Sequence, residues 1–150
     1  MPREYTVEEF RAGKVPGTVP LIDGAVTQAP HKLIIHVPVR LESEANRRDH
    51  WAKKAARLKK QRAMVALVLR FVRGAPVDVS TRLTVTITRI APRELDTDNL
   101  AGSAKAVRDE IAMWLGVDDG PRGPVTWAYG QRAEGKLYGC EIVIERRGGA

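Results

Sequence analysis

The sequence predicts an α/β (α+β) domain, a mixed four-stranded sheet with two main helices in the order β-α-β-α-β-β. Three observations predict it. Leu83, Val85 and Ile87 alternate with Thr84, Thr86 and Thr88, the period of a strand buried on one face. A stretch from about Asn46 to Val72 carries apolar residues at helical spacing without Gly or Pro. Strand-like and helix-like segments alternate along the chain, which argues for helices packed on a sheet.

The elements follow in order. Tyr5-Thr6-Val7-Glu8-Glu9-Phe10 reads as a helix start, with Thr6 as cap, Glu9 closing the capping box and Gly13 ending the turn. Lys14 to Pro30 is rich in Gly, Pro and Thr and reads as a linker, so residues 1–31 form an N-terminal arm. The core domain then covers 32–147, and 148–150 form a tail. Leu33-Ile34-Ile35-His36-Val37 is a strand, which Pro38 ends, bulges or confines to an edge. His36 has a structural role there. In the first long helix Trp51, Ala55, Leu58, Val65, Leu69 and Val72 make one apolar stripe, which places Trp51 in the core. Gly74 and Pro76 stop the helix. After Asp98-Asn99 a second helix turns Leu100, Ala104, Val107, Ile111 and Trp114 inward and closes at Gly116. Two strands, around Val125 to Gln131 and Gly139 to Glu145, complete the domain, joined by a turn containing Gly.

Charge narrows the partners. The 150 residues include 25 Lys+Arg against 18 Asp+Glu, a net charge of +7 with a pI near 9.9. Such a surplus attracts a polyanion. Arg47, Arg48, Lys53, Lys54, Arg57, Lys59, Lys60 and Arg62 crowd the first long helix, opposed only by Asp49, so alternating ion pairs cannot account for them. Contact with nucleic-acid phosphates can. Cys140 is the single cysteine, which excludes an intrachain disulfide and suits a reducing cytoplasm. No stretch approaches the roughly 20 apolar residues of a membrane span, and the first thirty residues lack the apolar core of a secretory signal.

Carboxylates mark the candidate site. Asp96 and Asp98 are two apart and point to one side of an extended segment, where they repel unless a cation lies between them. Oxygen donors of this kind suit Mg²⁺, which keeps several waters. Gly116-Val117-Asp118-Asp119-Gly120 offers two more at the far end of the same helix, provided the chain folds back along it. The simpler readings stay open. Asp96 can serve as a helix cap, Asp118-Asp119-Gly120 as a turn, and Lys105 as an i,i+4 partner of Asp109.

Asp96-Thr97-Asp98-Asn99-Leu100, then Lys105 and Asp109, then Gly116-Val117-Asp118-Asp119, resembles the RusA family of Holliday junction resolvases. The resemblance is strongest from Leu95 to Gly120 and looser from Leu33 to Ile144; residues 1–30 have no counterpart. It implies a RusA-like fold and a Mg²⁺-dependent endodeoxyribonuclease that cuts four-way or other branched DNA as a homodimer. Asp96, Asp98 and Asp119 would bind the metal, with Asp118 as an alternative ligand, and Lys105 would act beside them. Lys105 departs from the family pattern. It follows Asp98 by seven residues rather than four, about one helical turn further along the axis. Two other readings compete: a non-catalytic nucleic-acid-binding protein, and a less selective phage-type nuclease of the same fold. A nucleotidyl transferase fits less well, because no Gly-Ser element precedes Asp96.

Overall fold

In a computed structural model, residues 26–29, 32–43, 50–72 and 82–146 are described. Five strands and three helices run in the order β1 (Val26–Ala29), β2 (Lys32–Val37), α1 (Trp51–Leu69), β3 (Leu83–Ile90), α2 (Thr97–Ser103), α3 (Lys105–Leu115), β4 (Val125–Arg132) and β5 (Gly139–Arg146). The strands form one mixed sheet in the order β1-β2-β5-β3-β4. The mixed α+β class expected from the sequence is therefore the class observed. The N-terminal helix expected at Tyr5–Phe10, Asn46 to Asp49, the Gly74–Pro76 stop and the tail lie outside the described residues.

Alternation sets the register. Leu83, Val85 and Ile87 are buried while the intervening threonines are half-buried. In β5 the inward residues are Cys140, Ile142 and Ile144; in β2 they are Leu33, Ile35 and Val37. Antiparallel pairing aligns Ile35 with Ile142 and Ile142 with Ile87, so side chains of like direction meet on one face. Val65, Val68 and Leu69 of α1 and Val107, Ile111 and Leu115 of α3 join that face in one core. Val37 ends its strand as Pro38 requires: the Val39 amide donates back to the Val37 carbonyl at 2.9 Å, closing a three-residue turn.

Four features go beyond the expected order of elements or depart from it. Residues 26–29, within the expected linker, pair antiparallel with β2, from Val26 opposite Ile35 to Ala29 opposite Lys32. With only two residues between them, the two segments make a hairpin that extends the sheet. Secondly, β4 and β5 do not pair with each other but flank β3, β4 running parallel to it. The α2–α3 passage returns the chain to the same end of the sheet, as a parallel neighbour requires.

Thirdly, the second helix is two helices. Ser103 Oγ donates back to the Leu100 carbonyl at 2.7 Å, beside the poor helix former Gly102, and Ala104 takes φ −94° and ψ 0°. Lys105 thus opens a new helix, so its displacement from Asp98 is not one turn along a single continuous axis.

Fourthly, Trp51 is 75% exposed, not a core residue. In α1 the buried positions are Gln61, Val65, Val68 and Leu69, all in its C-terminal half. The helical period identified a stripe, but the sheet and α3 cover only the second half of it, leaving Ala55 exposed and Leu58 half-buried. Trp114 does pack against the core as expected. No helix of the described residues is long and apolar enough to cross a membrane.

Candidate functional site

The Asp96–Asp98 segment lies where β3 gives way to α2, and several side chains hold it in place. Asp96 is the N-cap of α2. One carboxylate oxygen accepts from the Asn99 amide at 2.9 Å and the other from Asn99 Nδ2 at 2.8 Å. Ser43 donates to Asn99 Oδ1 at 3.0 Å, which links the segment after β2 to this cap. Leu95, next to the cap, is clasped on both backbone groups by Gln131 of β4. Its amide donates to Gln131 Oε1 at 2.9 Å, and its carbonyl accepts from Gln131 Nε2 at 2.8 Å.

Arg89 supports the same segment from the end of β3. Its Nε donates to the Leu41 carbonyl at 2.8 Å and another guanidinium nitrogen to the Arg93 carbonyl at 2.6 Å. Burial holds its pKa below the ordinary arginine value. Asp98 sits in the first turn of α2, exposed, and its carboxylate has no partner among the described residues.

The second carboxylate pair lies past α3. Gly116, at φ 71°, takes the left-handed conformation that closes a Schellman motif: its amide donates to Met113 and the Val117 amide to Ala112. Val117 then packs against the core, which turns the chain back. Asp118 Oδ1 accepts from the Gly120 amide at 2.8 Å, a turn role. Gly123 completes this turn, since a Cβ there would overlap the Asp118 carbonyl oxygen.

Asp119 returns to the first turn of α3, where Arg108 holds it. The guanidinium donates to the Asp119 carbonyl, lies 3.4 Å from Asp119 Oδ2, and donates to Tyr129 Oη at 2.9 Å. The 3.4 Å approach is a charge contact, since Nε is not aligned for a hydrogen bond. The same group stands over the Trp127 ring at 5.0 Å. The fold-back that the carboxylates required is present. It does not by itself make a closed metal cage: among the described residues, no three of His, Cys, Asp or Glu gather closely enough to hold an ion. Lys105 is 74% exposed and pairs with Asp109 at 3.2 Å, the helical neighbour contact weighed for it from spacing.

The basic helix divides into two sets. Arg57 stands 3.7 Å from Glu42, and Arg62 donates to Glu110 of α3 at 3.1 Å, so both tie α1 to the body. Lys53, Lys54, Lys59 and Lys60 are exposed and have no carboxylate partner among the described residues. Arg47 and Arg48 lie outside the described residues. His36 lies on the other face of the sheet, 3.6 Å from Glu141, in keeping with a structural role.

Sequence reasoning missed Arg89, Arg108 and Gln131. Arg89 breaks the apolar alternation of its strand just after Thr88, a weak signal that was there to be read. Nothing local marks Arg108 or Gln131. No family model matches the chain, and a search of curated proteins finds no match.

Proposed function

We propose that this protein is a Mg²⁺-dependent endodeoxyribonuclease that cuts Holliday junctions or related branched DNA, acting in the cytoplasm as a homodimer. The reading rests on the D-x-D-N-L and G-x-x-D-D motifs that resemble the RusA family. The observation that carries it is the return of Asp119 to the first turn of α3. An isolated Asp-Asp-Gly turn has no need of such a tether. The donor set suits the ion: Mg²⁺ is commonly held by one or two carboxylates, with waters and substrate phosphate completing its shell. Asp96 and Asp98 would hold it, with Asp119 or Asp118 as a further ligand. Mg²⁺ there would supply polarisation of the scissile phosphate and activation of water.

The chain's own groups do the rest. Asn99 fixes the Asp96 carboxylate, and Gln131 and Arg89 hold the backbone that carries it. Asp98 stays open to solvent. The four exposed lysines of α1 would attract phosphates without reading sequence. Two sites related by a two-fold axis would meet the two opposed strands of a four-way junction. Lys105 would stabilise negative charge on the phosphate if substrate draws it from Asp109.

A second reading, a non-catalytic nucleic-acid-binding protein, is favoured by one observation. Asp96, Asp118 and Asp119 each have a structural partner, and no three acids gather among the described residues. The test is Mg²⁺-dependent nicking of a synthetic four-way junction beside a linear duplex. Asp98→Asn should bind both as the wild type does and lose cleavage by a factor of at least about 100. Undiminished cleavage by that variant removes the metal site. Equal cutting of both DNAs points to a less selective nuclease, and binding without cutting to the second reading.

A further inference from the structure

An exposed indole is the least explained feature of the surface. Trp51 opens α1, is 75% exposed and takes no part in the core. Its neighbour is set: His50 Nδ1 accepts from the Ala52 amide at 3.2 Å as the helix cap. The His50 and Trp51 rings lie 5.3 Å apart, tilted by 37°. Two aromatic rings therefore stand together at the head of a helix whose first half has no fully buried residue. Water is a poor environment for so large an apolar surface, and such exposure marks a place of contact.

Charge identifies the partner. From Trp51 to Leu69 α1 has no acidic residue, and among the described residues Lys53, Lys54, Lys59 and Lys60 have no carboxylate partner. An apolar protein face would gain nothing from that field, and an acidic one would have little use for the indole. A nucleic acid with unstacked bases satisfies both, because its phosphates meet the lysines while a base face meets the ring. An intact duplex offers phosphates only.

We propose that Trp51, supported by His50, is a stacking platform for an unpaired base, at the open crossing of branched DNA or in a single strand. The platform rests on the nucleic-acid reading of the protein but not on its nuclease activity. Trp51 thereby separates branched and single-stranded DNA from duplex, a distinction that phosphate contacts cannot make.

The experiment measures binding in EDTA, so that cutting plays no part. Wild type, Trp51→Ala and Trp51→Phe are titrated with an oligo-dT strand, a four-way junction and a blunt duplex by fluorescence anisotropy. Trp51→Ala should weaken the strand and the junction by roughly 5- to 100-fold and leave the duplex unchanged, while Trp51→Phe keeps most of the affinity. Thermal unfolding should be the same for all three proteins, as expected of an exposed side chain. Equal loss on all three DNAs, or no loss on any, overturns the proposal while leaving DNA binding intact. A change in association state of Trp51→Ala in sedimentation overturns it too, because the indole would then cover a second copy. Failure of the wild type to bind any of these DNAs overturns the nucleic-acid reading itself.

Discussion

The segment around Asp96 and the first half of α1 are built in opposite ways. At Asp96 nearly every polar group is held by another part of the chain: Asn99 on the carboxylate, Gln131 on Leu95, Arg89 on Arg93, and Ser43 on Asn99. Over residues 51–60 nothing is fully buried, and four lysines have no carboxylate partner among the described residues. Chemistry at a phosphate needs ligands fixed to within a fraction of an ångström, which long-range hydrogen bonds provide. A grip on phosphates needs only charge within reach, and mobile ammonium groups suffice. Stability and DNA affinity should therefore separate cleanly between the two regions.

The largest separation is expected from replacing Lys53, Lys54, Lys59 and Lys60 together by Gln. DNA affinity should fall on the order of 100-fold at 0.1 M salt, and the slope of log affinity against log salt should flatten by up to about four. Unfolding free energy should stay within about 0.5 kcal/mol of wild type, because these side chains are exposed. Denaturant unfolding beside a salt series of binding isotherms checks both halves. A large loss of stability would make the helix face structural after all.

Arg108→Ala should show the converse. It removes the donors to the Asp119 carbonyl and Tyr129 Oη and leaves the Asp119 carboxylate without its cation. The expected cost is about 2–3 kcal/mol of stability, with duplex affinity nearly unchanged. Arg108→Lys keeps the charge but loses the fork that reaches two partners at once, so it should recover less than half of that cost. Full recovery by lysine would mean that only charge matters at this turn.

Gln131→Ala should cost somewhat less, about 1–2 kcal/mol, since two neutral hydrogen bonds to Leu95 are lost. Gln131→Glu is the sharper variant. Its carboxylate still accepts from the Leu95 amide but cannot donate to the Leu95 carbonyl, so it should fall between alanine and wild type near pH 7. Amide exchange at Leu95 reports the clasp directly.

Part of this architecture is legible in the sequence. Strand β3 was read from Leu83, Val85, Ile87 and the threonines between them, because alternation is local and the sheet only has to cover one side. The C-terminal half of α1 followed for a similar reason. Trp51 went astray because it has the right period, yet period cannot say how far along a helix the rest of the molecule extends. The break at Ser103–Ala104 was missed because a side-chain bond back to Leu100 overrides a continuous apolar pattern. The aspartates stood out as types and spacings. The groups that hold them did not, since Arg89 reaches back 48 residues to Leu41 and Gln131 reaches 36 to Leu95. Such partners are set by the parallel placement of β4 beside β3, which leaves no mark on neighbouring sequence.

The smallest effect belongs to a pair outside both regions, and it sets the baseline for the others. Glu141 of β5 accepts from Arg132 of β4 at 3.0 Å, and this hydrogen bond holds the Glu141 pKa below the ordinary carboxylate value despite partial burial. The folded state therefore binds this proton more weakly than the unfolded chain does. Its contribution is present above the unfolded-state pKa and is lost as pH falls through the lower folded-state value. Glu141→Gln should cost no more than about 1 kcal/mol at pH 7, as expected of a partly exposed pair. The gap between the two proteins should close as the solution becomes more acidic than the usual glutamate range. Urea unfolding at pH 7 and near pH 3 measures it. A gap that persists at pH 3 would assign the cost to packing rather than charge, and the losses at Arg108 and Gln131 would then have to be measured against that larger background.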